Sequence, residues 1–212
     1  MLIPVRSQIC RRRDILRLGL AGATVLAAPS IVRAQTVIPL TFASGFAPVL
    51  PWVAEATETF IPTVDAELAK AGGTYSINWT LALSGSLARV NAMMSATSQG
   101  LCQVALIAPI FEPTNLPLDN IGFVTPFTVP DHRVAAEVIA ALHAGFPAMT
   151  ESWTRQNLVH LGSLANEKFA WFTSFPWNGL EDLRGRKVSG AGMALPWVAA
   201  TGATAVATNL AT

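Results

Sequence analysis

The chain has 212 residues, of which 51% are hydrophobic and 13% charged, enough to bury one large core or two small ones. Six of its 14 basic residues and one acid, Asp14, fall in residues 1–34. The remainder carries a net charge of about −4, which argues against nucleic acid or an anionic membrane surface as a partner.

Residues 1–34 stand apart from the fold. Arg11, Arg12 and Arg13 precede Asp14-Ile15-Leu16-Arg17, and an apolar run follows from Leu18 to Ala28. Val32-Arg33-Ala34 then offers the small or apolar residues of a cleavage site. These are the parts of a secretory signal, and Arg12-Arg13 with Ile15-Leu16-Arg17 at its offset gives the twin-arginine form. The apolar run is far shorter than the roughly 20 residues that span a bilayer core. The expectation is export to the periplasm, with cleavage after Ala34. Cys10 leaves with the signal, so Cys102 has no intramolecular disulfide partner and reads as a buried structural thiol.

Val37 to Ala43 predicts a buried strand. From Pro51 to Lys70 the residues Trp52, Val53, Ala56, Phe60, Val64 and Leu68 recur at helical spacing, and Pro62 is expected to kink or split that helix. Tyr75 to Leu83 alternates as a strand, with Tyr75, Ile77, Trp79, Leu81 and Leu83 on one face. Ser84-Gly85-Ser86 reads as a helix N-cap ahead of a Leu87, Val90, Met94 stripe, and Val104 to Pro109 as another buried strand. The order βαβαβ predicts a parallel sheet with right-handed crossovers. Ligands of open α/β sheets bind outside the carboxyl ends of the strands. The loops Ser44-Gly45-Phe46, Ser84-Gly85-Ser86 and Ile110-Phe111 are therefore expected to converge on one edge.

Farther on, Pro126 to Pro130 reads as a crossing segment, and Asp131 as the cap of a helix carrying Val134, Val138, Ile139 and Leu142. Leu158 to Ser163 and Lys168 to Ser174 read as strands, and Val188 ends a third. Ala191 to Thr212 has no charge, but Pro196, Gly202 and Asn209 favour a helix (Ala194 to Ala200), a turn at Gly202 and a strand start over a membrane span.

Catalytic signatures are missing. No P-loop occurs, and Gly190-Ala191-Gly192 begins a dinucleotide fingerprint whose third glycine is replaced by Leu195. Neither Gly-x-Ser-x-Gly nor His-Glu-x-x-His is present. His132, His143 and His160 are dispersed along the chain and read as structural, without metal-site spacing. Glu181-Asp182 beside Arg184 and Arg186 reads as a solvated turn. No cofactor, metal or catalysis is expected.

Three stretches carry a resemblance: Gly100 to Pro109; Asn115-Leu116-Pro117-Leu118 with Val124-Thr125-Pro126-Phe127; and Leu180-Glu181-Asp182-Leu183-Arg184-Gly185-Arg186-Lys187-Val188. Together they resemble the substrate-binding proteins of TRAP (tripartite ATP-independent periplasmic) transporters, dicarboxylate-binding type, across residues 37–212. The resemblance implies an α/β, periplasmic-binding-protein-like fold whose two lobes close on an organic acid, and delivery to a sodium-driven membrane permease. It places the first lobe at 35–126 and the second at 127–212, the latter incomplete because relatives return the chain to finish both lobes. A form ending at Thr212 is expected to bind poorly and expose sheet edges.

Two departures bear on the ligand. The family's arginine after the Lys-Ile/Val pair, which forks onto a carboxylate, is Ser189 here. A second family cation falls near Ala170. The candidate ligand residues are Ser44, Ser84, Arg89, Phe111, Trp171, Ser189 and Trp197. Arg89 is the candidate countercharge, the helix start near Ala194 a source of amide groups for an anion, and the tryptophans flat apolar walls. Missing charge beside aromatic surface points to a larger or aromatic acid over a small dicarboxylate. Two other readings stay open: an exported sensor module on the same fold, and a twin-arginine-exported oxidoreductase.

Overall fold

A computed structural model of the chain describes residues 35–126, 128–165 and 169–209. The signal segment, Phe127 and Lys168 lie outside the described residues. β1 (Thr36–Ser44) is flanked by two parallel neighbours. On one side β2 (Tyr75–Ala82) pairs along it from Thr36↔Tyr75 to Ala43↔Ala82. On the other, β3 (Val104–Leu106) pairs only from Phe42↔Val104 to Ser44↔Leu106. The order β2-β1-β3 is the parallel arrangement that the βαβαβ pattern predicts.

Burial follows the overlap of the three strands. Phe42, Ala43 and Ser44 are buried, whereas Thr36 to Pro39 are exposed. The reading of β1 as buried throughout is thereby corrected, because β3 covers only its last residues. Pro39 falls where β1 has a single neighbour, a position that tolerates a missing N–H. β3 is also shorter than the expected Val104 to Pro109, since Pro109–Phe111 turns into a 3₁₀ segment.

The first crossover helix, α1 (51–70), joins α-helical Pro51–Ala54 and Ile61–Lys70 through a π turn at Glu55–Phe60. Within it the Ile61 N–H reaches back to the Ala56 carbonyl. The wider turn just ahead of Pro62 admits a ring that would clash with the carbonyl four residues back in a regular helix. It also adds a residue to the apolar stripe. Ile61 is buried beside Phe42 and Ala56, and Phe60, which the regular spacing placed inside, is exposed.

The second crossover departs further from expectation. Ser84 does not cap a helix; it has φ +57° in a tight turn. Helix begins only with 3₁₀ Val90–Ala92 and α2 (Met93–Ser98), and no side chain caps either. Val90, Met93, Met94 and Ala96 are buried, and Cys102 packs with Ala43 and Met93 as a core thiol.

Three helices follow: α3 (Ile121–Val124), α4 (His132–Gly145) and α5 (Pro147–Thr154). Asp131 caps α4 as expected, its carboxylate accepting from the Arg133 and Val134 N–H groups at 2.9 and 3.0 Å. The described residues of 158–163 and 169–174 form no strand, and Val159, Leu161, Phe169 and Phe172 are exposed. Alternation supplies only a strand's faces; without a hydrogen-bonded neighbour no ladder forms.

A second βαβ unit closes the described chain. β4 (Lys187–Gly190) and β5 (Thr204–Ala207) pair in parallel from Lys187↔Thr204 to Gly190↔Ala207, with α6 (Leu195–Ala200) between them. Leu183, Val198 and Ala203 form its core, with Phe175, Val188 and Ala205 packed against them. Gly202, at φ +81°, makes the expected turn. Among the described residues no helix is long and apolar enough to cross a membrane.

Candidate functional site

The site is built from the carboxyl ends of the first sheet. Where β1 ends, the fully buried Ser44 hydroxyl accepts from the Phe46 N–H at 3.1 Å. Its carbonyl accepts from Gly85 N–H at 3.1 Å, and the Phe46 carbonyl from Ser84 N–H at 3.0 Å. These bonds lock the loop after β1 to the loop after β2. Gly45 is needed here, since a Cβ would lie 2.4 Å from the Val90 backbone nitrogen. The third loop joins through Phe111, which packs on the buried Phe46, Val53 and Val90 alongside Leu50 and Trp52. The Trp52 ring meets Phe46 edge-on at 5.6 Å.

Ser44, Ser84 and Phe111 therefore share one edge, and Arg89 stands next to it, immediately before Val90. Arg89 is exposed, with extended backbone (φ −68°, ψ 160°), and among the described residues nothing pairs with its guanidinium. Other cations are engaged elsewhere: Arg184 pairs with Glu181 at 3.4 Å, and the Arg186 guanidinium lies 4.2 Å above the Phe175 ring. Asp182 accepts from the Asn178 N–H at 2.8 Å. Glu181 and Asp182 thus form the expected exposed turn, although Arg186 takes no part in it.

The loop after β4 reaches the same edge. A Cβ on Gly192 (φ +44°) would fall 2.0 Å from the Ile110 carbonyl oxygen. The close approach that this glycine permits is thus made by the backbone beside Phe111. Ser189 is exposed in β4, in register with Val206. α6 has six residues with Pro196 in its first turn, and the Ala194 N–H is already spent on Ala191, so few free amides remain there for an anion. The Trp197 indole donates to the Phe123 carbonyl at 3.0 Å and packs on the Phe123 ring at 5.6 Å. Trp171 is not on a strand; its ring lies 6.3 Å from that of Trp177, and both it and Ala170 are exposed.

A second polar group escaped the sequence reading. His143 donates from Nε2 to Asp119 Oδ1 at 2.9 Å, and the Trp153 indole donates to Asp119 Oδ2 at 3.1 Å. The His143 and Asp119 side chains are almost fully buried. The His160 ring stacks on His143 with centroids 3.6 Å apart and planes 8° from parallel, and lies 5.3 Å from Trp153. Burial, and next the charge of His143, hold the His160 pKa below its ordinary value, against an opposing pull from Asp119. The expectation of dispersed histidines is corrected: His160 is not on a strand, and the fold brings it to His143. No local spacing connects the two, so only the packing of α4, α5 and the following run reveals them.

No family model and no curated protein matches the sequence. Solved structures do match its fold. A TRAP solute-binding protein from a marine metagenome, specific for pyroglutamate, superposes with a TM-score of 0.62 at 16% identity, over 84% of this chain and 55% of its own. A TRAP periplasmic solute-binding protein from Shewanella oneidensis with bound succinate gives 0.61 at 21%, over 84% and 55%. One from Desulfovibrio salexigens with bound orotic acid gives 0.61 at 17%, over 82% and 54%. The chain therefore has a periplasmic-binding-protein fold. More particularly, it has the form of that fold seen in TRAP solute-binding proteins, and it spans about half the length of the solved proteins it matches.

Proposed function

We propose that this chain is an extracytoplasmic solute-binding protein that captures an organic acid and delivers it to the membrane permease of a TRAP transporter. The observation that carries this reading is the meeting of three strand-end loops beside Arg89, whose guanidinium has no partner among the described residues, in a fold shared with proteins whose bound molecules are organic acids. In this reading residues 35–126 form one lobe and the chain from 127 onward belongs to the other. The ligand lies between them, at the Ile110–Gly192 contact. Ser84, Arg89 and Phe111 face it from the first lobe, with Ser44 shaping the loop beneath. Ser189, Trp197 and Trp171 serve it from the second. Residues 1–34 direct twin-arginine export, with cleavage after Ala34 and a periplasmic destination. The role is binding without catalysis, needing no cofactor.

Ser189 stands where a carboxylate-forking arginine is expected, so Arg89 supplies the countercharge and the aromatic rings supply area. This favours a ring-bearing or weakly charged acid. Calorimetry with orotate, pyroglutamate and a uronate, against succinate and malate, tests it. The ring acids are expected to bind more tightly, and Arg89→Ala to remove about 1.5–3 kcal/mol, the worth of a hydrogen bond to a charged group. Binding of succinate or malate alone would overturn the ligand preference, and the absence of binding by any organic acid would overturn the function.

A further inference from the structure

The run that leaves α5 is held down at few points. After Asn157, whose φ is +59°, Leu158 is buried and His160 half-buried, whereas Val159 and residues 161–164 are exposed. Among the described residues 159–164, His160 makes the ring contacts that fasten this run. Its ring lies flat on His143 of α4 and tilted against Trp153 of α5, and its Nε2 is 3.0 Å from Ser163 Oγ within the run itself. We infer that the His143–His160 stack is an acid-released clasp, holding the segment that leads from α5 towards the second sheet.

The geometry favours a proton over a metal ion as the species that operates it. Ligand-type atoms of Asp119, His143 and His160 lie within 4.8 Å of one another. Yet the two rings are nearly parallel and 3.6 Å apart, and the lone pairs of an imidazole lie in its ring plane. Two parallel planes offer no shared point at which one ion could take an in-plane lone pair from both.

A proton needs no such convergence. The groups facing His160 are His143 from α4, Asp119 from the turn before α3, and the uncharged Trp153 from α5. The remaining charges of α5, Glu151 and Arg155, pair with each other on its exposed side. Asp119 is already committed to His143 and Trp153. A charged His160 would thus lose hydration without gaining a carboxylate of its own.

The direction follows from linkage. Because the folded pKa of His160 is lowered, the stabilisation is fully present above the unfolded imidazole value of about 6.5. It is lost as pH falls through that value towards the folded one. The clasp therefore closes at neutral pH and opens in mild acid, and it stands independently of the ligand reading.

Hydrogen exchange of the Leu158 amide, which donates to the Trp153 carbonyl at 3.1 Å at the root of this run, measured at pH 7.5 and 5.0 and corrected for the intrinsic rate, tests it on the chain as it exists. Protection is expected to fall on acidification by roughly tenfold for each unit by which the pKa is lowered. His160→Phe keeps a flat ring on His143 but carries no proton, and should hold its protection at both pH values. His160→Gln should be poorly protected at both. Unchanged protection in the native chain, or the same acid loss in His160→Phe, overturns the clasp. Imidazole titration of the native chain by NMR is a check that needs no variant: a His160 midpoint below 6.5 is expected, and one at or above it overturns the proposal.

Discussion

The sheet β2-β1-β3 and the pair β4-β5 are both parallel, and both are joined by crossover helices, but they bury themselves to different depths. At the carboxyl end of β1, Phe42 and Ala43 are enclosed by strands on both sides and packed against α1 and α2, and Ser44 beyond them pairs with β3 alone. In the second unit the buried residues Leu183, Val198 and Ala203 come from the helix and the flanking turns, and no strand residue is fully buried. Parallel strands need cover on both faces, and a central strand flanked along its length is the one most easily enclosed. The first sheet has such a strand in β1 at Phe42 and Ala43; a two-stranded sheet has none. The deeper region therefore positions the candidate site, and the shallower one brings a loop to it.

The sharpest way to break this comparison is at Phe42. Phe42→Ala is expected to cost about 3–5 kcal/mol in chemical denaturation; a loss below about 1 kcal/mol would show that the strand overlap is not where stability resides. Gly192→Ala probes the contact between the two regions. It forces a Cβ onto the Ile110 carbonyl, at an overpacking cost of about 1–3 kcal/mol, and adds about 1–2 kcal/mol for a left-handed backbone. A neutral result would mean that the β4 loop does not rest on the β3 loop. Trp197→Phe is the mildest. It keeps a ring against Phe123 but removes the indole N–H from the Phe123 carbonyl, for an expected loss of about 0.5–1.5 kcal/mol. No loss would show that ring packing alone joins α6 to α3.

The candidate site was legible in part. Strand order brings the loops at Ser44, Ser84 and Phe111 together, and that order follows from alternating helix and strand patterns. Its details were not legible. The hydroxyl of Ser44 turns back to its own loop, Ser84 forms a turn in place of a cap, and Trp197 spends its N–H on Phe123. Each outcome depends on which backbone group lies opposite, and that neighbour comes from a distant part of the chain.

Local chemistry by itself determined the βαβ order, the Asp131 cap, the Gly202 turn and the α6–β5 ending, because periodicity, capping and φ preference act within a few residues. Tertiary structure alone decided that a π turn buries Ile61 in place of Phe60, that the strand-like run 158–163 forms no strand, and that His143 and His160 stack. Burial and strand pairing are properties of two surfaces meeting, and a sequence written in one dimension specifies only one of them at a time.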